Sequence, residues 1–368
     1  PPPPPPRKPP VVKPEKKKGK GWLFAGLGGV GLIAALGCGS IGIQHASGVV
    51  GLDYAELVAG CDLSEETRSA FGAHWQDTWP NVTLYEDYRQ MLEREALDVV
   101  TIATPDSVHA DPVVDAIEAG VRALFSEKPM ATTLADADRM RAAIEQNGVL
   151  FSIDHTRRWN PLWHHIKDNV LDGGQIGDVQ YVVGTLSGKR AALFRNGTHL
   201  VDAMCFLAGS DPQWVFAELE DGYEDYTEYR GNGGGDPSLE PSASGYIHFA
   251  NGVRGFYTGS SKRTSGSKWR FEVVGSKGRI LIDKDARLLI GDEVQVMKEP
   301  QATWKGIPAG VRELVQTLHN GGTQTSAPLS SAINVVEVLF GFLASHARGN
   351  ARVDLPLSRK KNALGENA

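Results

Sequence analysis

The sequence predicts an α/β chain in which a doubly wound parallel sheet is followed by a second, strand-rich domain. Three observations lead there. Gly37-Cys38-Gly39-Ser40-Ile41-Gly42 stands behind the apolar run Leu32–Leu36 and ahead of a second apolar run ending at Asp62. Ser126-Glu127-Lys128-Pro129 closes another buried-type run, Val121–Phe125. Beyond residue 150 the continuous apolar runs give way to alternating strands joined by glycine turns.

The first domain is expected over 29–150. Leu32–Leu36 is apolar on every position, as a parallel strand covered on both faces must be. The glycine turn after it permits a tight bend at Gly37. It also permits close approach of backbone to a pyrophosphate at Gly39 and close packing of helix on strand at Gly42. The amides of Ser40 and Ile41 would then point at phosphate oxygens. Leu57–Asp62 is the next strand, and Asp62 stands at the distance where an acid accepts hydrogen bonds from the adenosine ribose. A carboxylate there repels a 2′-phosphate, so NAD is preferred to NADP. Gly26–Gly31 shares the spacing but lacks such an acid.

Two further strand ends face the same crevice, because ligands of open α/β sheets bind outside the carboxyl ends of the strands. Asp98–Ala103 leads to Thr104, Pro105 and His109, and Val121–Phe125 leads to Glu127 and Lys128. These loops join the glycine turn and Asp62 as candidate cofactor contacts. His109 has two readings, a cofactor contact or a helix-start residue that caps and packs.

The second domain is expected over 151–358, with Phe151–His155 as its strand-like entry and 359–368 as a polar tail. Val179–Thr185 alternates as a strand. Ser244–Phe249 and Val253–Thr258 read as a hairpin about Ala250-Asn251-Gly252. Trp269–Val274 and Arg279–Asp283 pair around Gly275–Gly278, and 309–318 and 331–346 read as helices. Asp221–Ser242 is acidic and rich in Tyr and Gly: a surface insertion or a lid over substrate.

Several of these stretches resemble the Gfo/Idh/MocA family of NAD(P)-dependent oxidoreductases. They are the glycine turn, the Asp62 strand end, Thr104–Ala110, Ser126–Pro129, Arg157–Pro161, Asn196–Asp202 and Val353–Leu357. The resemblance spans roughly residues 30 to 358. It implies a Rossmann domain that binds NAD(P), then an α+β domain whose open, mostly antiparallel sheet supplies the substrate wall and often a dimer or tetramer interface. It implies substrates among sugars, sugar acids, amino sugars and cyclic polyols. It also implies that Lys128 lies beside nicotinamide and substrate and that His199 is the acid/base group. Family members often carry an aspartate four residues before this histidine, where this chain has Arg195. Asp202, three residues after His199, is read as an orienting or packing residue.

The chemistry suits those residues. Oxidising an alcohol removes a hydride, which a nicotinamide takes, and a proton, which a group with a pKa near working pH must take. Imidazole has such a pKa, and Lys128 can stabilise alkoxide charge. Arg157, Arg195, Asn196 and His199 are the candidate substrate contacts. Arg157 and Arg158 are also read as partners of Asp154 across the domains. Trp159 and Trp163 read as a helix face rather than a sugar platform, and His164 and His165 point apart, so no metal site is expected. Two rival functions remain open: a glycoside hydrolase that works by transient oxidation, and a regulator that binds the nucleotide without catalysis.

Composition fits this reading. The chain has 368 residues, 41% hydrophobic and 22% charged, with three cysteines in no metal or disulfide pattern, which suits the cytoplasm. Residues 1–20 carry seven Lys/Arg and one Glu, so the net charge of −6 becomes −12 over the remainder. Nucleic acid is not an expected partner of so acidic a body. Residues 1–28 read as a Pro/Lys-rich tail with an apolar lead-in, disordered or artefactual. Trp22–Gly31 is left open between a lead-in, a short anchor and a gene-calling error. Membrane attachment is not expected, because Leu32–Gly42 is needed for the strand and turn.

Overall fold

A computed structural model describes residues 31–233, 235–262 and 268–359. The tail 1–28, the lead-in up to residue 30 and residues 360–368 lie outside the described residues.

The first sheet has six parallel strands: β1 (Gly31–Leu36), β2 (Ala55–Cys61), β3 (Thr83–Tyr85), β4 (Val99–Ile102), β5 (Ala123–Ser126) and β6 (Leu150–Ile153). Their order is β3-β2-β1-β4-β5-β6, the doubly wound arrangement with its switch point between β1 and β4. Register aligns the carboxyl ends. Leu36 pairs with Cys61 on one side and Ile102 on the other, and Ser126 pairs with Ile102 and Ile153. Asp62, Gly37, Ala103, Glu127 and Asp154 therefore follow one another along a single sheet edge. Helices α1 (Ser40–Ser47), α2 (Glu65–Trp75), α3 (Tyr88–Arg94), α4 (Ala110–Glu118) and α5 (Leu134–Asn147) connect the strands. The β1, β4, β5 and β6 interiors are buried on both faces, which explains their unbroken apolar runs.

One expected boundary moves. Residues 151–153 do not open the second domain; they are the sixth strand of the first sheet, paired residue for residue with β5. A buried edge strand of four residues looks in sequence like any short apolar run.

The second sheet has nine strands: β7 (Val179–Ser187), β8 (Pro212–Leu219), β9 (Ala243–Phe249), β10 (Arg254–Ser260), β11 (Trp269–Gly275), β12 (Arg279–Ile282), β13 (Ala286–Ile290), β14 (Glu293–Met297) and β15 (Val353–Asp354). It is antiparallel except where β10 runs parallel to β7. At the β9–β10 turn the Asn251 side chain accepts from the Val253 amide, and Gly252 takes a positive φ of 84°. Helix α6 (Pro161–His165) follows the link from the first sheet. Helices α7 (Thr198–Ala208) and α9 (Leu329–His346) cover one face. The α9 helix is long and apolar enough to cross a membrane by composition, but over half of it is buried inside the molecule. Helix α8 (Gly306–His319) returns to the first core, where Val311, Leu314 and Val315 pack with β5 and β6. The two domains are thus laced together by the chain's last third.

Asp221–Ser242 is not a plain surface insertion. Tyr226 is fully buried in the second core, and Glu240 and Ser242 are buried with it. Its many charges hide in sequence the three or four side chains that anchor it.

Candidate active site

The glycine turn adopts the conformation its residues permit. Gly37 has a φ of 90°, and a Cβ there would stand 2.5 Å from the Ala103 carbonyl oxygen. A Cβ on Gly42 would stand 1.8 Å from the Gly37 oxygen. Gly39 differs: a Cβ there meets nothing within 4 Å, so the space in front of it is open. Helix α1 starts behind this space with no side-chain cap and no acid in its first turn. Its leading amides are left for an anion.

Asp62 closes one side of the turn. Its carboxylate accepts from the Cys38 amide at 3.0 Å and from the Ser64 amide at 3.0 Å, which fixes its direction. Arg68 donates to the Asp62 and Leu63 carbonyls at 2.6 and 3.0 Å and so is engaged locally. An open cradle of amides with an oriented carboxylate at its rim fits the diphosphate and adenosine ribose of NAD.

Behind the other rim lies a buried polar cluster. His45 Nε2 stands 3.5 Å from Glu127 Oε1, and Asp154 packs against the same carboxylate. Burial alone would raise Glu127, but the neighbouring His45 and Asp154, with the charge of Lys128, outweigh it and hold its pKa at about 2. Burial and the Glu127 charge push Asp154 far up, so the pair holds one proton. Lys128 is lowered from the ordinary lysine value by burial, which the Glu127 charge opposes. The Lys128–Pro129 peptide is cis. His109 is buried, with Nδ1 2.8 Å from the Pro129 oxygen and Nε2 3.0 Å from the Thr104 oxygen. Both ring nitrogens are taken by the backbone. His109 therefore splices two cofactor loops together and does not stand as a direct contact. Thr104 Oγ1 has no partner among the described residues, and Pro105 is exposed on the same loop.

The second domain supplies the facing wall. Residues 193–197 form a π-helical turn immediately before α7, a local widening that re-aims side chains and is frequent at functional sites. Lys128 Nζ donates to the Arg195 carbonyl at 3.2 Å. Glu240 holds the turn from behind, accepting from the amides of Phe194 and Arg195, the latter at 2.9 Å. Burial raises Glu240 to about 7 against the pull of those amides. Asn196 donates to the Arg190 carbonyl at 2.6 Å. The Arg195 side chain faces Asp106 at 3.9 Å, and Tyr229 donates to the same carboxylate at 3.2 Å.

His199 follows, with Nδ1 unpartnered among the described residues. Burial, then the charges of Lys128, His155, Arg157 and Arg195, hold its pKa well below the usual histidine value, so the ring is a neutral acceptor. His155 lies edge-on to it at 5.7 Å, donating to or accepting from Thr198 at 3.0 Å, and stands 3.3 Å from Asp202. Asp202 is buried and taken by Arg158, which reaches it through Nε and Nη2 at 2.8–3.1 Å. That corrects the expected Arg157 or Arg158 pairing with Asp154. Arg157 instead lies 4.0 Å over the Trp269 ring.

The crevice thus gathers the glycine turn, Asp62, Thr104, Glu127, Lys128, Arg157, Arg195, Asn196 and His199. Sequence reasoning missed Asp106, His155, Trp269 and Glu240, and passed over His45. Asp106 and His155 stand beside residues that were singled out. Glu240 gave no signal, being one acid in an acidic loop.

Comparison with known proteins agrees. Residues 32–155 match the description "Oxidoreductase family, NAD-binding Rossmann fold", and residues 164–281 match the GFO/IDH/MocA C-terminal domain. The chain is 29% identical over 204 residues to scyllo-inositol 2-dehydrogenase (NAD(+)) of Bacillus subtilis, covering 54% of this chain and 58% of that protein. It is 31% identical over 140 residues to inositol 2-dehydrogenase of Salmonella typhimurium, covering 36% and 41%. The chain therefore spans about two fifths to three fifths of the length of these curated relatives. Among solved structures, aldose-aldose oxidoreductase from Caulobacter crescentus superposes with a TM-score of 0.72 at 20% identity, over 89% of this chain and all of that one. With both family regions matched in order across most of its length, the chain belongs to the Gfo/Idh/MocA oxidoreductase family and carries its NAD-binding Rossmann domain.

Proposed function

We propose that this protein is an NAD-dependent dehydrogenase of a secondary alcohol on a sugar, sugar acid or cyclic polyol. One observation carries the reading. Lys128 reaches from the cofactor sheet to the carbonyl of Arg195, one turn ahead of a neutral His199 whose Nδ1 has no partner among the described residues. A cation and a base thereby share the crevice in front of the nucleotide cradle. The inositol dehydrogenase names of the curated relatives support the substrate class.

The dinucleotide, when bound, supplies the hydride acceptor. The glycine turn holds its diphosphate and Asp62 its ribose. His199 takes the hydroxyl proton, and Lys128 stabilises the developing alkoxide. Asp106 and Tyr229, from opposite walls, hold the crevice at a fixed width. The protein acts in a reducing compartment such as the cytoplasm, a reading supported by three buried, unpaired cysteines. It assembles as a dimer or tetramer through the uncovered face of the second sheet.

The test is turnover with NAD across sugars, inositols, sugar acids and glycosides, following NADH and product mass together. NADH with a product two hydrogens lighter supports the dehydrogenase. A cleaved glycoside without NADH would replace it by the hydrolase reading, and binding of NAD without any turnover by the regulator.

A further inference from the structure

Arg157 and Arg158 are neighbours on the 3-10 turn Thr156–Trp159, and their fates differ. Arg158 is saturated, with a two-pronged contact to Asp202 and a third bond to the Ser326 carbonyl at 3.0 Å. The Arg157 side chain makes no hydrogen bond and no ion pair among the described residues. Its guanidinium lies flat on Trp269 at 4.0 Å, with Phe271 and Trp163 at 5.4 and 5.5 Å. Stacking satisfies the faces of a guanidinium and leaves its in-plane N–H donors unmet. Burial lowers it to about 10, and its nearest acid, Asp202, already belongs to Arg158. No nitrogen of Arg157 is among the buried side-chain atoms that lack a partner, so the edge of the guanidinium stays open to an incoming acceptor.

The surroundings bring none. Lys268 Nζ lies 5.6 Å over the same Trp269 ring, and Trp269 stands edge-on to His199 at 6.3 Å. Lys128 and Arg195 complete the wall. The nearby acids are occupied: Asp106 by Arg195 and Tyr229, Glu240 by two backbone amides, Glu127 by His45 and Asp154. A neutral polyol would leave Arg157 without a counter-charge, since Arg195 faces Asp106 and Lys128 lies beside Glu127.

Resting on the dehydrogenase reading, we propose that the substrate is a sugar acid whose carboxylate docks edge-on to Arg157 above Trp269. A planar carboxylate matches the planar fork in a two-bond contact. The carboxylate is a handle and is unchanged by the reaction. With NAD bound, the carbinol carbon would lose its hydride to the nicotinamide and its hydroxyl proton to His199, which would leave a carbonyl.

The experiment compares the full chain, loaded with NAD, on matched probes: a set of aldonates and uronates, the corresponding neutral alditols and sugars, and the corresponding sugar phosphates. Each is measured for NADH formation and, separately, for binding by titration calorimetry. The acids should exceed their neutral counterparts in kcat/KM by about 100-fold or more. Arg157→Gln should lower kcat/KM for the acids about 100-fold, mostly through KM, and the loss should be at least about tenfold greater for the acids than for the neutral probes at a pH above the His199 limb. Arg157→Lys should recover part of the loss, because it restores charge without the fork. Equal or better use of neutral probes, or an equal effect of Arg157→Gln on both classes, overturns the proposal and leaves Arg157 a stacking residue. Preference for the phosphates also overturns it. Binding of an acid that depends on Arg157 without any NADH upholds the anion site and overturns the dehydrogenase reading instead. Neither binding nor turnover of any acid overturns the anion site itself.

Discussion

Lys128 Nζ and the carbonyl oxygen of Arg195 are joined by a hydrogen bond of 3.2 Å that crosses from the first sheet to the second domain. The bond fixes the lysine against the turn that carries His199, and Glu240 fixes that turn from its other side. Lys128→Met should therefore do two things. It should lower kcat by about 100-fold or more through loss of alkoxide stabilisation. It should leave NAD affinity within about threefold if, as proposed, the glycine turn holds the diphosphate. Steady-state kinetics with a separate NAD titration checks both, and near-normal turnover would remove Lys128 from the mechanism.

The charge around His199 sets a pH dependence. Burial and the charges of Lys128, His155, Arg157 and Arg195 disfavour the imidazolium, so the folded pKa lies below the ordinary histidine value. A base must be neutral to accept a proton, and a lowered pKa keeps it neutral further into acid. The acid limb of kcat/KM for alcohol oxidation should accordingly fall below about pH 6.5, the unperturbed value. Arg157→Gln removes one of those charges and should move the limb upward. A limb at or above the ordinary value in the parent protein would contradict the assignment.

The glycine turn allows folding and binding to be separated. Gly39→Ala adds a methyl group to open space at an ordinary φ of −68°. It should leave the thermal midpoint nearly unchanged while lowering NAD affinity about tenfold or more. Gly42→Ala drives a methyl group onto the Gly37 oxygen and should cost stability as well, on the order of 1–3 kcal/mol for a strained core insertion. Thermal unfolding and NAD titration of both variants distinguish the cradle from a turn that is merely tight.

Much of this was legible in the sequence because parallel strands advertise themselves. Val99–Ile102 and Ala123–Ser126 are buried on both faces, so their apolar runs locate the strand ends, and topology then places Thr104, Glu127 and Lys128 at one edge. Gly37 and Asp62 were readable for the same reason. What was hidden depends on contacts between distant segments. Glu240 caps a turn 45 residues earlier, and Tyr229 reaches Asp106 across 123 residues. No periodicity encodes such pairs. His109 stayed open between two readings because a histidine beside a cofactor loop can either meet the ligand or stitch the loop, and both roles require the same position.

The uncovered face of the second sheet predicts assembly. Trp214, Phe216, Tyr246 and His248 stack across β8 and β9, and Phe216 and Phe256 are 41% and 37% exposed. A contiguous aromatic face of this kind is unusual on a monomer and characteristic of interfaces. Phe216→Glu combined with Phe256→Glu should shift the protein to a smaller species in sedimentation velocity while leaving the far-UV spectrum unchanged. A parent protein that sediments as a monomer would refute the oligomer.

Glu240 predicts a stability profile with an unusual direction for a carboxylate. Its folded pKa is raised from 4.5 to about 7 by burial, so the folded state holds its proton more tightly than the unfolded chain does. The carboxyl is therefore best tolerated below pH 4.5, and its ionisation becomes a growing penalty between 4.5 and about 7 that is complete above that range. A tenfold change in proton affinity is worth about 1.4 kcal/mol, so the full penalty is on the order of 3 kcal/mol. Glu240→Gln keeps an oxygen for the amides of Phe194 and Arg195 but cannot ionise. Its unfolding free energy should lack this decline, so that the variant gains on the parent as pH rises from 4.5 to about 7. Glu240→Ala removes the cap and should lose about 1–3 kcal/mol, the cost of buried amides left without acceptors. Urea unfolding of the three proteins at several pH values from about 5 to about 8 measures the difference. Parallel curves for parent and Gln variant would mean that Glu240 stays ionised throughout, with its amide contacts outweighing its burial.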